Sequence, residues 1–131
     1  MKKFTTKETF ALAVKNHQKN NLKVACNLYQ EILKTNPNHV DANNNLGLVF
    51  HAFREPQKAK SCYQKAIEIH PDYPDAHSNL GNVLRELGEH KNAKNCYQKA
   101  IEIQPNYADS HYNLGIIGNN FLPLTLTLLK V

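Results

Sequence analysis

Residues 62–69 read Cys62-Tyr63-Gln64-Lys65-Ala66-Ile67-Glu68-Ile69, with Pro71 two places on, and the same eight residues return as Cys96-Tyr97-Gln98-Lys99-Ala100-Ile101-Glu102-Ile103, with Pro105 two places on. Working outward, Asn45-Leu46-Gly47 returns as Asn79-Leu80-Gly81 and again as Asn113-Leu114-Gly115. Every match lies at a spacing of 34 residues, an identity too long for chance. A fixed period of about 20 to 50 residues is the mark of stacked supersecondary units, none of which can bury its apolar face alone. Framed on these anchors, the chain divides into units at 6–39, 40–73 and 74–107, then a fragment at 108–117 and a different sequence at 118–131. The first unit is diverged but in register, with Leu12-Ala13 at the Leu-Gly place, then Ala25, Tyr29 and Pro37.

Within a unit the apolar residues follow a helical spacing, as in Ala42, Leu46, Val49 and Phe50, then Ala59, Tyr63, Ala66 and Ile67. Two helices per unit follow. Arg54-Glu55 and Gly88 fall between them as turns, while Pro37, Pro71 and Pro105 stop each second helix, because proline has no N–H donor and clashes with the preceding turn. Asp41, Asp75 and Asp109 open the first helices, where a carboxylate meets unpaired N–H groups and the positive end of the helix dipole. Gly47, Gly81 and Gly115, with Ala59 and Ala93, are expected where paired helices approach closely. Tyr29, Tyr63 and Tyr97 are expected to fill space between one hairpin and its successor, and His77 and His111 to fill gaps between helices.

Composition narrows the function classes. The chain has 131 residues, 41% hydrophobic and 21% charged, which is one ordered domain's worth of sequence. Its net charge of +5 raises a nucleic-acid partner. The lysines, however, recur as Lys58, Lys60 and Lys65, then Lys91, Lys94 and Lys99, a repeat echoing itself on solvated helix faces. We therefore expect no nucleic-acid partner. No apolar run reaches the roughly 18 residues a membrane span needs, and Lys7, Glu8 and Lys15 interrupt any secretion signal. Three cysteines without a CxxC pair argue against a disulfide framework and suit a reducing compartment, so a cytoplasmic, membrane-free protein is expected.

No catalytic pattern emerges: GxxxxGK[ST], HExxH and GxSxG are absent. Cys62 and Cys96, as repeat copies roughly 10 Å apart, stand too far from each other for a disulfide. No enzyme activity, metal or cofactor is expected.

The combination Leu-Gly, then Ala-x-x-x-Phe/Tyr, then Pro at a period of 34 resembles the tetratricopeptide repeats. The wording from Asp75 to Gly115 is similar to the repeat arms of O-linked N-acetylglucosamine transferases and related bacterial multi-repeat proteins. The glycosyltransferase domain that follows such arms has no counterpart here. The resemblance implies an all-α fold, a right-handed superhelical solenoid of stacked antiparallel helix pairs, with three full repeats and a truncated fourth. It also implies a concave groove that holds an extended segment of another protein, lined by the second, fifth, sixth, ninth, twelfth and thirteenth positions of each unit. Those positions hold Asp41, Asn44, Asn45, Leu48, His51 and Ala52, then Asp75, Ser78, Asn79, Asn82, Arg85 and Glu86, then Asp109, Tyr112, Asn113 and Ile116.

Asn45, Asn79 and Asn113 resemble the asparagine ladder of the transferase-type arms. An amide offers an acceptor and two donor hydrogens, so it can pair with a guest backbone regardless of side chain. At about 0.5 to 1.5 kcal/mol per bond, three asparagines alone support only weak binding. Asp41, Asp75 and Asp109 beside them favour Ser, Thr or basic side chains on the guest. The first unit departs from the ladder, with Ala11 at the asparagine place and Lys7 at the aspartate place. A carboxylate clamp of the kind that grips chaperone tails needs Lys and Arg where Asp75, Asp109, Asn79 and Asn113 stand, and is not expected.

After Gly115 the repeat grammar stops. Gly118-Asn119-Asn120 should break the helix, and the apolar residues from Phe121 to Leu129 lack a charged face. A homo-oligomer formed through residues 116–131 is the second expectation for this chain.

Overall fold

The first helix is set by a reciprocal cap. In the structure, a computed structural model describing residues 3–118, the Thr5 hydroxyl accepts from the Glu8 N–H at 3.1 Å, and the Glu8 carboxylate accepts from the Thr5 N–H at 2.9 Å. Two orphan donors are thereby satisfied where α1 (Thr6–Gln18) begins. It is followed by α2 (Leu22–Thr35), α3 (Val40–Ala52), α4 (Pro56–Ile69), α5 (Pro74–Glu86), α6 (His90–Ile103) and α7 (Ala108–Gly118). There is no strand among the described residues. Pro56 and Pro74 occupy first-turn positions, where their missing N–H costs nothing. Gly118 belongs to α7, so the helix runs one residue past the expected break. The expected apolar tail, and with it the oligomerisation surface, otherwise lies outside the described residues.

The described chain forms two compact units, Met1–His70 and Pro71–Val131. The first holds the antiparallel pairs α1/α2 and α3/α4; the second holds α5/α6 with α7 packed on them. All three pairs turn in the same way. Asn20, Arg54 and Gly88 take left-handed φ values of 64°, 61° and 81°. The next N–H returns five residues, from Asn21 to the Asn16 carbonyl, Glu55 to Phe50 and Glu89 to Leu84, at 2.8 to 2.9 Å. This double closure of the helix end needs one left-handed residue, which glycine adopts without strain. Arg54 was legible as a turn residue; Asn20 was not.

The tyrosines correct one expectation. Tyr63 and Tyr97 lie against the glycine of their own pair rather than filling only the gap to the next. A Cβ added to Gly47 would stand 2.5 Å from Tyr63 Cε1, and one added to Gly81 2.5 Å from Tyr97 Cε1. The missing side chains are what admit the rings, which are fully buried and contribute on the order of 2 kcal/mol each through burial. Around Tyr29 the first unit gathers Ala13, Ala25, Cys26, Ile32, Ala42, Leu46 and Val49 as its core.

The fourth-position residues also differ from expectation. His77 and His111 each donate through Nε2 to a proline carbonyl six residues back, Pro71 and Pro105, at 2.7 Å. Asn43 does the same toward Pro37 at 3.1 Å. These side chains tie the interpair loop to the next helix, a task that packing volume alone does not explain.

Candidate functional site

On α3, Asp41 is exposed and Asn45 half-buried. Asn44, expected to face a guest, is instead buried at 3% exposure, with its amide nitrogen 3.5 Å from Asn45 Oδ1. Its place in the interior makes it a support for Asn45. The Asn45 amide also hydrogen-bonds the Tyr29 hydroxyl, which lies 3.0 Å from His17 Nδ1. Accepting from Asn45, the phenol donates to an unprotonated His17 Nδ1, a three-residue chain that orients the amide. Burial pushes the His17 imidazole below its ordinary pKa and the Tyr29 phenol above its own, so both stay neutral, as this chain requires.

In the second unit, Asp75 and Asp109 are exposed near the starts of α5 and α7, while Asn79, Asn82, Arg85 and Asn113 are half-buried. Asp75 accepts a short hydrogen bond from the Tyr107 hydroxyl. Burial and then that carboxylate push the phenol well above its usual range. Tyr97 donates to Asn82 Oδ1 at 2.6 Å. Arg85 Nη1 donates to Asn113 Oδ1 at 3.4 Å, bridging α5 to α7. Burial pushes Tyr97 up to about 12, with Arg85 opposing more strongly than either Cys96 or Glu86 reinforces. Ser78 is buried. The side chain of Ile116 lies outside the described residues.

Tyr29, Tyr97 and Tyr107 were not singled out as functional residues, yet each holds a residue of this face. The available signal was chemical: a buried phenol needs a partner for its O–H, and a polar residue on the facing helix supplies it. The thiols offer no reactive centre. Burial raises Cys26, and it pushes Cys62 and Cys96 up to about 11, which leaves little thiolate near neutrality. Among the described residues no three His, Cys, Asp or Glu side chains are grouped to hold a metal ion. No helix there is long and apolar enough to cross a membrane.

Comparison with known proteins agrees with this architecture. A family model described as "TPR repeat" matches residues 57–85 and 81–117, and one described as "Tetratricopeptide repeat" matches residues 28–61. No curated protein sequence matches the chain. Among solved structures, MamA is similar at 27% identity and a TM-score of 0.75, over 80% of this chain and 61% of that one. The chain thus spans less than two thirds of that relative. An O-GlcNAc transferase of Thermobaculum terrenum aligns at 20% identity and a TM-score of 0.87, over 95% of this chain and 25% of the transferase. The first TPR of Spaghetti (RPAP3), solved with an HSP90 peptide, aligns at 18% identity and a TM-score of 0.83, over 86% of this chain and 90% of that one. The last two likenesses are of fold alone.

Proposed function

This chain belongs to the tetratricopeptide repeat family, a family of protein–protein interaction modules, and we propose that it binds an extended segment of a partner protein through amides on the first helices of its pairs. The observation that carries this reading is that Asn45 and Asn113 are each held by a neighbour's hydrogen bond while remaining half-exposed. An oriented amide loses less entropy on meeting a guest backbone than a free one does. In the second unit Asn79 and Asn113 supply the amides, with Asp75 and Asp109 beside them; in the first, Asn45 does so beside Asp41. No catalytic step is assigned to this chain.

The test uses a pool of random 12-residue peptides, acetylated and amidated, passed over the immobilised full chain and quantified by mass spectrometry. Replacing Asn45, Asn79 and Asn113 together by alanine should lower total capture at least ten-fold, given about 0.5 to 1.5 kcal/mol per lost bond. Capture unchanged in the triple variant would sink the proposal.

A further inference from the structure

We infer that the second unit selects a guest bearing an acidic side chain, whose carboxylate is received by Arg85 together with the amide groups of Asn82 and Asn113. The inference rests on the peptide-binding reading above and names the class of guest that reading leaves open.

Asn82 and Asn113 are each able to accept and to donate, but both amide oxygens are already engaged: Asn82 Oδ1 by the Tyr97 hydroxyl and Asn113 Oδ1 by Arg85 Nη1. What the two amides have left to offer a guest is mainly N–H. A guanidinium offers only N–H, five of them in a planar fork, and one is used on Asn113. Three neighbouring side chains on one face therefore present donors. The matching group is acceptor-only, and an ionised carboxylate with about four lone-pair sites is that group among peptide side chains.

Charge points the same way. Arg85 is half-buried, and its hydrogen-bond acceptor is a neutral amide; among the described residues no carboxylate is paired with it. A partly desolvated cation whose bonded acceptor is a neutral amide gains from an incoming anion more than an exposed one does. Glu86 follows directly in sequence at the next groove position and is exposed. At the Tyr97 hydroxyl the influence of Arg85 also exceeds that of Glu86. Asp75 lies ten residues earlier on α5, about 15 Å along the axis, and is engaged by Tyr107. Along α5 the face is thus acidic where the helix begins and basic where it ends, and on α7 Asp109 stands one turn before Asn113. Asp75 favours Ser, Thr or basic guests at the first end, and Arg85 favours an acidic one at the second.

This differs from a grip on a chain-terminal carboxylate, so the probes have both termini blocked. Three pools of acetylated, amidated 12-residue peptides are used, each with one scanned position fixed as Glu, Gln or Lys in a background of Ala, Ser and Thr. On the full-length chain the Glu pool should be retained roughly five-fold over the Gln pool at its best position, with the Lys pool weakest, and the ratio should shrink in high salt. Arg85→Gln should bring the Glu-to-Gln ratio to about one. Arg85→Glu should invert the order in favour of the Lys pool, a gained preference that misfolding cannot produce. Equal retention of the Glu and Gln pools, with capture still dependent on Asn79 and Asn113, would overturn the acidic assignment and leave the groove standing. A Glu preference that survives Arg85→Gln would overturn it too. Absence of capture of every pool would overturn both readings.

Discussion

The pairs α1/α2 and α5/α6 build the same hairpin from different residues, and the differences separate scaffold from the proposed binding face. Both place a fully buried tyrosine between the helices, Tyr29 and Tyr97. Opposite Tyr97 stands Gly81; at the equivalent place beside Tyr29 stands Ala13, also fully buried. Tyr97 donates to Asn82 of its own pair, but Val14 holds that place in the first pair, so Tyr29 turns to His17 instead. The turn uses Gly88 in one pair and Asn20 in the other. The scaffold therefore accepts substitutes. The proposed binding face does not: Asp75, Asn79 and Arg85 correspond to Lys7, Ala11 and His17, and nothing in the first pair replaces their chemistry.

The sharpest way to break the comparison is to make the second pair resemble the first. Gly81→Ala puts a Cβ against the rigid Tyr97 ring, 2.5 Å from Cε1. We expect a loss of about 2 to 3 kcal/mol in urea unfolding of the full chain. The reverse change, Ala13→Gly, should cost only about 1 kcal/mol, mainly in backbone entropy. Equal losses would show that Gly81 is not shaped by its tyrosine. A second variant tests the fragment against the complete pairs. Ser110 is fully buried with an unpartnered hydroxyl, where Ala42 and Ala76 stand in the preceding units. Ser110→Ala should raise stability by about 1 to 2 kcal/mol, the desolvation cost of that hydroxyl. Any loss of stability would mean the hydroxyl is satisfied.

Turn chemistry gives a smaller pair of effects with opposite signs. Gly88 has a φ of 81° with nothing within 4 Å of an added Cβ, so Gly88→Ala suffers backbone strain without a clash. A loss of about 1 kcal/mol is expected. Arg54 holds the equivalent place at 61°, and Arg54→Gly should gain about 0.5 to 1 kcal/mol by relieving that strain. Thermal melting of both variants against the parent would show whether the two shifts differ in sign; shifts of the same sign contradict the account.

Helix pairs, the turns at Arg54 and Gly88, and the close approach at Gly47 and Gly81 were readable from the sequence because they depend on local rules repeated at one period. Proline ends a helix, glycine makes room, and both do so wherever they recur. What the sequence did not disclose depends on atoms meeting across helices. Asn44 and Asn45 are neighbours of the same type, yet only one is half-exposed. Asn82 has its oxygen occupied because Tyr97 lies across from it, and Arg85 reaches an asparagine on another helix. Period alone assigns such residues to a face; it does not say which of their donors and acceptors are already engaged. His77 and His111 show the same limit, since their bonds to the proline carbonyls require knowing how the loop folds back.

The smallest effect follows from the pairing of His17 with Arg85 as equivalent positions. Burial lowers the His17 pKa from 6.5. A histidine depressed in the folded state stabilises above the unfolded value, and that contribution is lost as pH falls below about 6.5 and through the folded pKa, because the unfolded chain takes up the proton first. Protonation also removes the Nδ1 acceptor that holds Tyr29 at 3.0 Å. The chain should therefore lose stability on acidification from pH 7.5 to 5.5, and His17→Gln should flatten the slope by the share due to this residue. Every other group is common to both proteins, so the difference between the two curves isolates His17. Identical slopes would place His17 outside the hydrogen-bonded chain to Asn45, and the orientation of that amide would then rest on Asn44 and Tyr29 alone.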